Sequence, residues 1–343
     1  MALWGKDKIF FIAEIGANHN GDFELCKQMI VKAKECGADA VKLQKRNNDK
    51  LFMKSILDAP YNSEYAQTTG TYREHREYLD RFGDKEFREL KKLADDIGII
   101  FFATPFDFDS VDFLESIGVE LYKIASCDLK NIPLIKYIAS KGKPIVMSTG
   151  GGTKQDIIHA VHAIPYEMCK NLAVLHCVST YPNKDEQLNL SILQSFFKDN
   201  DIVSGFSSHH SGILPFFVAY MCGARVFEAH FTFNRGMSGS DHGFSLEPQA
   251  LRKVCYDLKR IPVMLGDGEK KVLPEEQKGF IWKFGKAIHP VKRIKEGQVL
   301  TTENIAIKAP ADGLPPERYN DVIGKVAICD ISTGDTLTED MLE

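Results

Sequence analysis

The chain has 343 residues, 44% of them hydrophobic, which is enough apolar sequence to build one large domain and one small one. Its formal net charge is −4, with 47 acidic and 43 basic side chains interleaved, so there is no electrostatic basis for binding nucleic acid. The eight cysteines form no Cys-x-x-Cys pair, and no apolar run is long enough to act as a signal peptide or to span a membrane. We therefore predict a soluble, cytoplasmic protein.

Apolar runs of strand length recur along the first three quarters of the chain. We predict strands at 9–14, 40–44, 99–104, 121–126, 144–149, 172–177, 202–207 and 226–231. Helix-like segments lie between them, at 23–36, 84–97, 111–117, 156–164, 214–222 and 248–265. This alternation predicts a (β/α)8 TIM barrel. A doubly wound sheet is the alternative, disfavoured because no Gly-x-Gly-x-x-Gly turn follows the first strand.

The remainder of the chain predicts a second domain. We assign residues 1–266 to the catalytic barrel, 267–285 to a solvated linker, and 286–343 to a small β-rich domain of short strands and turns. The connection at 45–83 is unusually long and shows little periodicity. A long connection on the active-site face is more often a substrate loop than an idle segment.

Polar side chains cluster where the predicted strands end, which is where barrel enzymes place their catalytic groups. Lysines, hydroxyls and backbone amides there predict a pocket for a phosphate or a carboxylate. Glu14 and Glu228 are candidates for proton transfer. The anion-pocket candidates are Lys42, Thr104, Lys123, Ser126, Ser148, Ser179 and Ser207.

Two histidines, His209 and His230, stand at the ends of the seventh and eighth strands. A parallel barrel would set them side by side, and neutral imidazoles are good ligands for a divalent metal that polarises a carbonyl oxygen. Hydroxyls at strand ends could instead cap the following helices, and a strand lysine could form a Schiff base. The Schiff-base reading leaves both histidines without a role.

Several segments resemble the sialic acid synthase family, in order and over nearly the whole chain. They are Glu14-Ile-Gly-Ala-Asn-His-Asn-Gly, Gly37-Ala-Asp-Ala-Val-Lys-Leu-Gln, Thr104-Pro-Phe, Tyr122-Lys-Ile-Ala-Ser, Ser148-Thr-Gly, His176-Cys-Val-Ser-Thr-Tyr-Pro and Gly239-Ser-Asp-His-Gly-Phe-Ser-Leu-Glu-Pro. Ile294-Lys-Glu-Gly-Gln-Val-Leu and Ile323-Gly-Lys-Val-Ala resemble that family's antifreeze-like (SAF, β-clip) domain.

The resemblance implies an enzyme that condenses phosphoenolpyruvate with N-acetylmannosamine or a related N-acyl sugar, giving a nonulosonic acid and phosphate. It places phosphoenolpyruvate on the anion-pocket residues and Mn²⁺ or Mg²⁺ on His209 and His230. Glu14, Glu228, Tyr181 and Asp241 would face the sugar or the metal's water. It also implies a domain-swapped homodimer in which the antifreeze-like domain caps the partner's barrel.

Departures from the family pattern bear on substrate choice. Ala229 and Ser208 replace a common arginine and aspartate, and Ala309 interrupts the Lys-Arg-Pro that reaches the sugar's N-acyl group. Arg73 and Arg76 lie in a segment resembling the animal enzymes, which use a 6-phosphorylated sugar; they could serve that phosphate or be solvated loop charges. The sequence fixes neither the sugar, its phosphorylation nor the metal.

Other functions remain as alternatives. N-acetylneuraminate 9-phosphate, legionaminic acid or pseudaminic acid synthesis would require only pocket changes. A barrel making octulosonate or heptulosonate phosphates would share the chemistry but lack the antifreeze-like domain. A catalytically inactive barrel carrying an ice- or glycan-binding domain is opposed by the lysines, the histidines and Glu14.

Overall fold

The computed structural model describes residues 3–5, 8–66, 68–195 and 203–343. The chain divides into two compact units, Met1–Leu265 and Gly266–Glu343. Ile202, the first residue of the predicted seventh strand, lies outside the described residues.

Within the described residues, the first unit is built on eight parallel strands that follow the predicted ones closely. They are β1 (Phe10–Glu14), β2 (Ala40–Lys45), β3 (Ile100–Pro105), β4 (Tyr122–Ile124), β5 (Ile145–Ser148), β6 (Leu172–Cys177), β7 (Val203–Ser208) and β8 (Val226–His230). Their order is β3-β2-β1-β8-β7-β6-β5-β4, and β3 also lies beside β4, so the sheet is a nearly closed barrel. Because β1 pairs with β8, the predicted (β/α)8 barrel is confirmed and the doubly wound sheet was the wrong alternative.

Helices follow most of the strands. In chain order they are α1 (Phe23–Glu35), α2 (Asn48–Leu51), α3 (Lys54–Leu57), α4 (Tyr72–Leu79), α5 (Asp84–Ile97), α6 (Phe108–Ser116), α7 (Ile132–Ala139), α8 (Lys154–His162), α9 (Ile192–Ser195), α10 (Leu214–Met221) and α11 (Pro248–Leu265). The sequence analysis missed α7, whose nearly continuous apolar sequence hides the helical period.

The connection at 45–83 is more ordered than its sequence predicted. It contains α2, α3 and α4, and α4 begins with a capping box in which Thr71 and Glu74 satisfy each other's backbone amides. Its buried face carries His75, Arg76 and Leu79. This mixture of charged and apolar residues explains why hydrophobic periodicity alone did not reveal the helix.

The ladder register aligns the polar strand ends. Glu14 is paired with Lys42 on one side and with His230 on the other, and Ser207 is paired with Glu228. Since side chains alternate between the two faces of a strand, these groups point into the barrel while their neighbours point outward. Among the outward neighbours, Phe206 and Phe227 are fully buried in the core between strands and helices.

The second unit, all of which the structure describes, has its own core. Strands β9 (Ala287–Pro290) and β10 (Ile305–Lys308) pair antiparallel. The apolar cluster packed around them consists of Ile288, Ile294, Leu300, Ile305, Val322, Ala327, Ile331, Leu337 and Leu342. The segment predicted as a linker contains helical turns, including α12 (Pro274–Glu276) and α13 (Trp282–Phe284); α14 (Tyr319–Val322) follows β10.

Across the described residues, no helix combines the length and the apolar character needed to cross a membrane.

Gly205 in β7 marks the tightest strand packing that a single substitution can test. A Cβ there would lie 2.2 Å from Leu175 Cδ2 and 2.3 Å from the Val226 carbonyl oxygen, which is backbone of β8 and cannot rotate away. We expect Gly205→Ala to destabilise the barrel by about 2 kcal/mol, measured as a lower midpoint of its thermal transition. Gly243→Ala, where a Cβ would meet nothing within 4 Å, is the control and should leave the midpoint nearly unchanged. An unchanged midpoint for Gly205→Ala would contradict this packing.

Candidate active site

A cavity of about 550 Å³ lies at the carboxyl ends of the barrel strands. Its lining includes every predicted site residue except Asp241: Glu14, Lys42, Thr104, Lys123, Ser126, Ser148, Ser179, Tyr181, Ser207, His209, Glu228 and His230. Residues from all eight strands or the turns after them therefore converge on one space, as the barrel topology requires.

Buried lysines and glutamates form the floor of this cavity. Lys42 Nζ lies 2.6 Å from Glu14 Oε2 and 3.8 Å from Glu228 Oε2. Lys123 Nζ donates to Glu228 Oε1 at 2.9 Å, and the Ser207 hydroxyl donates to the same oxygen at 3.2 Å. All four charged side chains are almost completely buried, so each depends on the others for charge compensation.

The pKa directions follow from this mutual compensation. Burial opposes the charged form of Glu228, but Lys123 and Lys42 outweigh it and lower the pKa of Glu228 to about 2. Burial also lowers the pKa of Lys123. For Lys42, burial is outweighed by Glu14 and Glu228, which raise its pKa. Glu228 and Lys42 are therefore both charged at neutral pH, and the positive charge of Lys42 is what an anion-binding floor needs.

Hydroxyls and glycines form the neighbouring wall, in the part of the cavity after β4, β5 and β6. The Gly150 amide donates to Ser126 Oγ at 3.0 Å. A Cβ on Gly150 would lie 2.1 Å from Ser179 Oγ, so only glycine allows these hydroxyls to approach the turn. Ser148 Oγ is buried and has no hydrogen-bond partner among the described residues, which leaves it available to a ligand.

The histidines lie side by side at the opposite part of the cavity, with ring centroids 5.5 Å apart. His209 Nδ1 is 2.9 Å from the Val178 carbonyl oxygen; a carbonyl only accepts, so Nδ1 carries the proton and Nε2 has a free lone pair. Burial lowers the pKa of His209 to about 4, with a further contribution from His230. His230 Nδ1 is buried without a hydrogen-bond partner among the described residues, 3.5 Å from Asp241 Oδ2.

These groups fit a divalent cation in part. The described residues contain no group of three or more His, Cys, Asp and Glu side chains arranged as a complete metal site. Neutral His209 and an unpartnered nitrogen on His230 are nevertheless the donors that such a cation takes from imidazole. The remaining positions would have to come from substrate or water, as in metal sites that are open to a reactant.

Asp241 lies outside the cavity lining but beside it, on the segment after β8. Asn18, in the turn after β1, explains how that segment is held. Its side-chain amide donates to the Phe231 carbonyl and to Ser245 Oγ, each at 2.9 Å, and the Ser245 hydroxyl donates to the Asp241 carbonyl at 2.5 Å. Asn18 thus fixes the approach of Asp241 to His230.

Tyr181 covers His209, with ring centroids 4.2 Å apart, and remains half exposed. Its pKa is raised, chiefly by burial of the hydroxyl, so the phenol stays protonated. The structure adds lining residues that the sequence analysis did not select as site residues: Gln44, Phe106, Cys127, Lys130 and Gly150 to Gly152. The three consecutive glycines directly after Ser148-Thr149 could have indicated from the sequence that this turn lines the cavity.

Two of the three departures from the family pattern, Ser208 and Ala229, lie in the first unit. Ser208 and Ala229 are buried and paired with each other across β7 and β8. Since their neighbours Ser207, His209, Glu228 and His230 line the cavity, alternation directs both of them away from it. Ala309 lies in the second unit and is exposed.

Arg73 and Arg76 are both engaged by carboxylates. Arg73 contacts Asp49 at 2.7 Å and Asp58 at 3.2 Å. Arg76 is buried and bonds Asp80 through Nε and Nη2. The hypothesis that Arg76 is a solvated loop charge was wrong, because α4 turns it inward.

Comparison with known proteins agrees with this geometry. The family model described as NeuB family matches residues 29–270, and that of the SAF domain matches residues 285–343. N-acetylneuraminate-9-phosphate synthase of Homo sapiens is 35% identical, over 99% of this chain and 94% of its own. N,N'-diacetyllegionaminic acid synthase of Campylobacter jejuni is 36% identical, over 93% and 96%.

The solved N-acetylneuraminic acid (sialic acid) synthetase of Leptospira borgpetersenii superposes with a TM-score of 0.69 at 34% identity, covering 80% of this chain and 91% of that one. Similarity thus extends over both units of the chain and includes the strands that carry the cavity. The resemblance noted in the sequence motifs is confirmed: the chain belongs to the NeuB family, the family of sialic acid synthases, and ends in a SAF domain.

Proposed function

We propose that this protein condenses phosphoenolpyruvate with an N-acylated amino sugar of the mannosamine type, forming a nonulosonic acid and releasing phosphate. The observation that carries the proposal is the cavity itself. It joins a floor of buried lysines to a paired-histidine site within one space. An anionic substrate and a carbonyl substrate can therefore be held against each other.

The anion half would take phosphoenolpyruvate. Lys42 and Lys123 would hold its charged groups, and the hydroxyls of Ser126, Ser148 and Ser179 would donate hydrogen bonds to them. Binding of an anion here would change the partners of Lys42 and Lys123, which contact Glu14 and Glu228 respectively. Those lysines would also stabilise negative charge developing on the departing phosphate.

The carbonyl half would take the aldehyde form of the sugar. His209 and His230 would hold Mn²⁺ or Mg²⁺, with Asp241 close enough to orient a bound water. Such a cation supplies polarisation of the sugar's carbonyl oxygen when it is bound. Tyr181 forms the outer wall on this side and limits the access of water.

The reaction balances as follows. The enol carbon of phosphoenolpyruvate attacks the aldehyde carbon, forming the new C–C bond, and the aldehyde oxygen takes up a proton to become a hydroxyl. Water then adds to the electron-poor carbon that bears the phosphate, and phosphate leaves by C–O cleavage. Glu14 lines the cavity beside these positions and is placed to accept or return the protons, whereas Glu228, which the two lysines keep charged, would orient the reacting water.

A free sugar is our first candidate, because neither arginine proposed for a 6-phosphate lines the cavity and both are paired with carboxylates. The phosphorylated sugar is the second, because the human 9-phosphate synthase aligns along 99% of this chain. Legionaminic acid synthesis is also a candidate, since a synthase of that acid is 36% identical over 93% of the chain.

The implied homodimer is also a proposal. Phe280, Trp282 and Phe284 are each more than half exposed within one short helical run, and exposed aromatic patches of this kind commonly mark protein interfaces.

The reaction class and the sugar can be tested in one experiment. The metal-stripped protein is supplied with phosphoenolpyruvate and, separately, N-acetylmannosamine, its 6-phosphate or a 2,4-diacetamido-hexose, with and without Mn²⁺. We expect phosphate release only with metal and with one class of sugar, fastest for the unphosphorylated N-acetylmannosamine. Release from arabinose or erythrose phosphate but from no mannosamine would reject the proposal.

The cation site can be tested by His230→Ala. We expect loss of turnover and weaker Mn²⁺ binding by calorimetry, with the thermal midpoint retained, because His230 Nδ1 makes no hydrogen bond that holds the fold among the described residues. His162→Ala, an exposed histidine on α8, is the matched control. Unchanged Mn²⁺ affinity in His230→Ala would remove this metal site.

The anion site can be tested by Ser148→Ala. The Ser148 hydroxyl is buried without a partner, so its removal should leave stability unchanged or slightly higher. We expect the KM for phosphoenolpyruvate to rise by about 10-fold, the value of one hydrogen bond to a charged group, with the KM for the sugar nearly constant. Ser204→Ala, whose hydroxyl bonds the Gly223 carbonyl outside the cavity, is the control. A rise confined to the sugar KM would overturn the assignment.

A further inference from the structure

Behind the cavity wall lies a buried guanidinium, Arg46, directly after β2. Its Nη2 donates to Gln44 Oε1, and its guanidinium lies 4.2 Å from the centre of the Phe106 ring. Gln44 and Phe106 both line the cavity, whereas Arg46 does not. Its side chain is 7% exposed. One cation therefore holds two cavity-lining side chains from outside the cavity.

Arg46 also determines which way the Gln44 amide faces. A guanidinium only donates hydrogen bonds, so it requires the amide oxygen of Gln44 on its side. The Gln44 NH₂ group is then directed to Glu14 Oε1, which it reaches at 3.1 Å. Glu14 in turn contacts Lys42 through its other oxygen. The orientation of Gln44 is thus fixed at both ends.

The anchor of Arg46 comes from the long connection after β2. Asp80, which follows α4, lies 3.6 Å from Arg46 Nε and accepts two hydrogen bonds from Arg76, at 2.9 Å from Nε and 2.6 Å from Nη2. The side chains of Arg46, Arg76 and Asp80 are nearly buried, at 7%, 9% and 13% exposed respectively. Arg76 fixes the carboxylate by hydrogen bonds, and Arg46 forms a buried ion pair with it that includes no hydrogen bond from Nε, so charge attraction couples α4 to the cavity wall.

The chemistry of this wall indicates which substrate it serves. The Glu14 carboxylate would repel a phosphate or carboxylate placed against it, whereas it can accept hydrogen bonds from the hydroxyl or amide groups of an uncharged sugar. The Gln44 amide and the Phe106 face are likewise suited to a polyhydroxylated ligand with an apolar N-acyl group. The lysine and serine wall is left for the anion.

We propose that Arg46 is a positioning residue for the sugar half of the cavity. By holding Gln44 in one amide orientation and Phe106 in place, with Asp80 as its anchor, it sets sugar affinity without touching substrate. The inference rests on the proposed function. If Arg46 were part of a buried ion pair that only stabilises the fold, its substitution would not change the KM for the sugar selectively.

The test is Arg46→Gln in the full-length, Mn²⁺-loaded protein, with steady-state kinetics for each substrate. We expect the KM for the sugar to rise by about 10-fold while the KM for phosphoenolpyruvate changes by less than about 2-fold. Arg46→Lys keeps the charge but lacks the planar fork, so it should recover only part of the loss. Arg88→Gln, an exposed arginine on α5 that bonds Ser116 away from the cavity, is the control.

A double-mutant cycle with Gln44→Ala separates positioning from stability. If Arg46 acts through Gln44 and Phe106, Arg46→Gln should raise the sugar KM less in the Gln44→Ala background than in the unsubstituted protein, because only Phe106 is then left to lose its position. Additive effects, or equal changes in both KM values, would overturn the proposal. Should Arg46→Gln fail to fold, Asp80→Asn preserves the shape of the anchor and should raise the sugar KM in the same selective way.

Crystal structures of the unsubstituted protein and Arg46→Gln without substrates give a readout that is independent of activity. We expect the Gln44 amide and the Phe106 ring to lose their single orientation while Lys123 and Glu228 stay in place. Unchanged Gln44 and Phe106 would overturn the positioning role. Absence of turnover with every sugar in the unsubstituted protein would instead count against the proposed function, and the structural comparison would still decide the role of Arg46.

Discussion

Charge compensation at the floor of the barrel is the constraint on which the site depends. Lys42 and Lys123 are almost completely buried, and Glu14 and Glu228 are the carboxylates beside them. Removing one partner of a buried ion pair commonly costs about 3–5 kcal/mol, because the other charge is left uncompensated. The four groups therefore have to be considered together, and a bound anion would have to redistribute the contacts of all of them.

This arrangement gives the cavity two chemically distinct sides. One side has lysines, hydroxyls and a glycine turn that permits close approach, and it favours negative charge. The other has two imidazoles, an aspartate and an aromatic wall, and it favours a cation and a carbonyl group. The glutamates lie between the two, on strands whose register places Glu14 beside both Lys42 and His230. An anionic substrate on the first side and a carbonyl substrate on the second would therefore meet between the two glutamates.

The loops around the cavity are held by polar side chains rather than by apolar packing alone. Asn18 fixes the segment that carries Asp241, and Arg46 fixes Gln44 and Phe106. Asn18 and Arg46 both lie behind the cavity lining. The hydrogen-bond donors of each allow only one arrangement of the segment or side chain that it contacts. Such support is what holds a binding group within the small tolerances that specific recognition requires.

The sequence by itself determined the barrel, the small second domain and most of the polar strand-end residues that line the cavity. Strand-length apolar runs and short connections define a (β/α)8 order, and that order obliges strand-end residues to meet at one mouth. This is why twelve of the thirteen proposed site residues line a single cavity. The family motifs added Asp241, which lies just outside it, 3.5 Å from His230.

Only the tertiary structure decided what depends on side chains from distant segments. It placed Arg76 inward against Asp80, showed α4 within a connection that lacks apolar periodicity, and directed Ser208 and Ala229 away from the cavity. It also revealed Arg46 as the link between that connection and the wall. Local sequence cannot fix the link through Arg46, because Arg46 and Asp80 are 34 positions apart and their ion pair forms only after the chain has folded. The partner that a charged side chain finds is then set by where its helix packs.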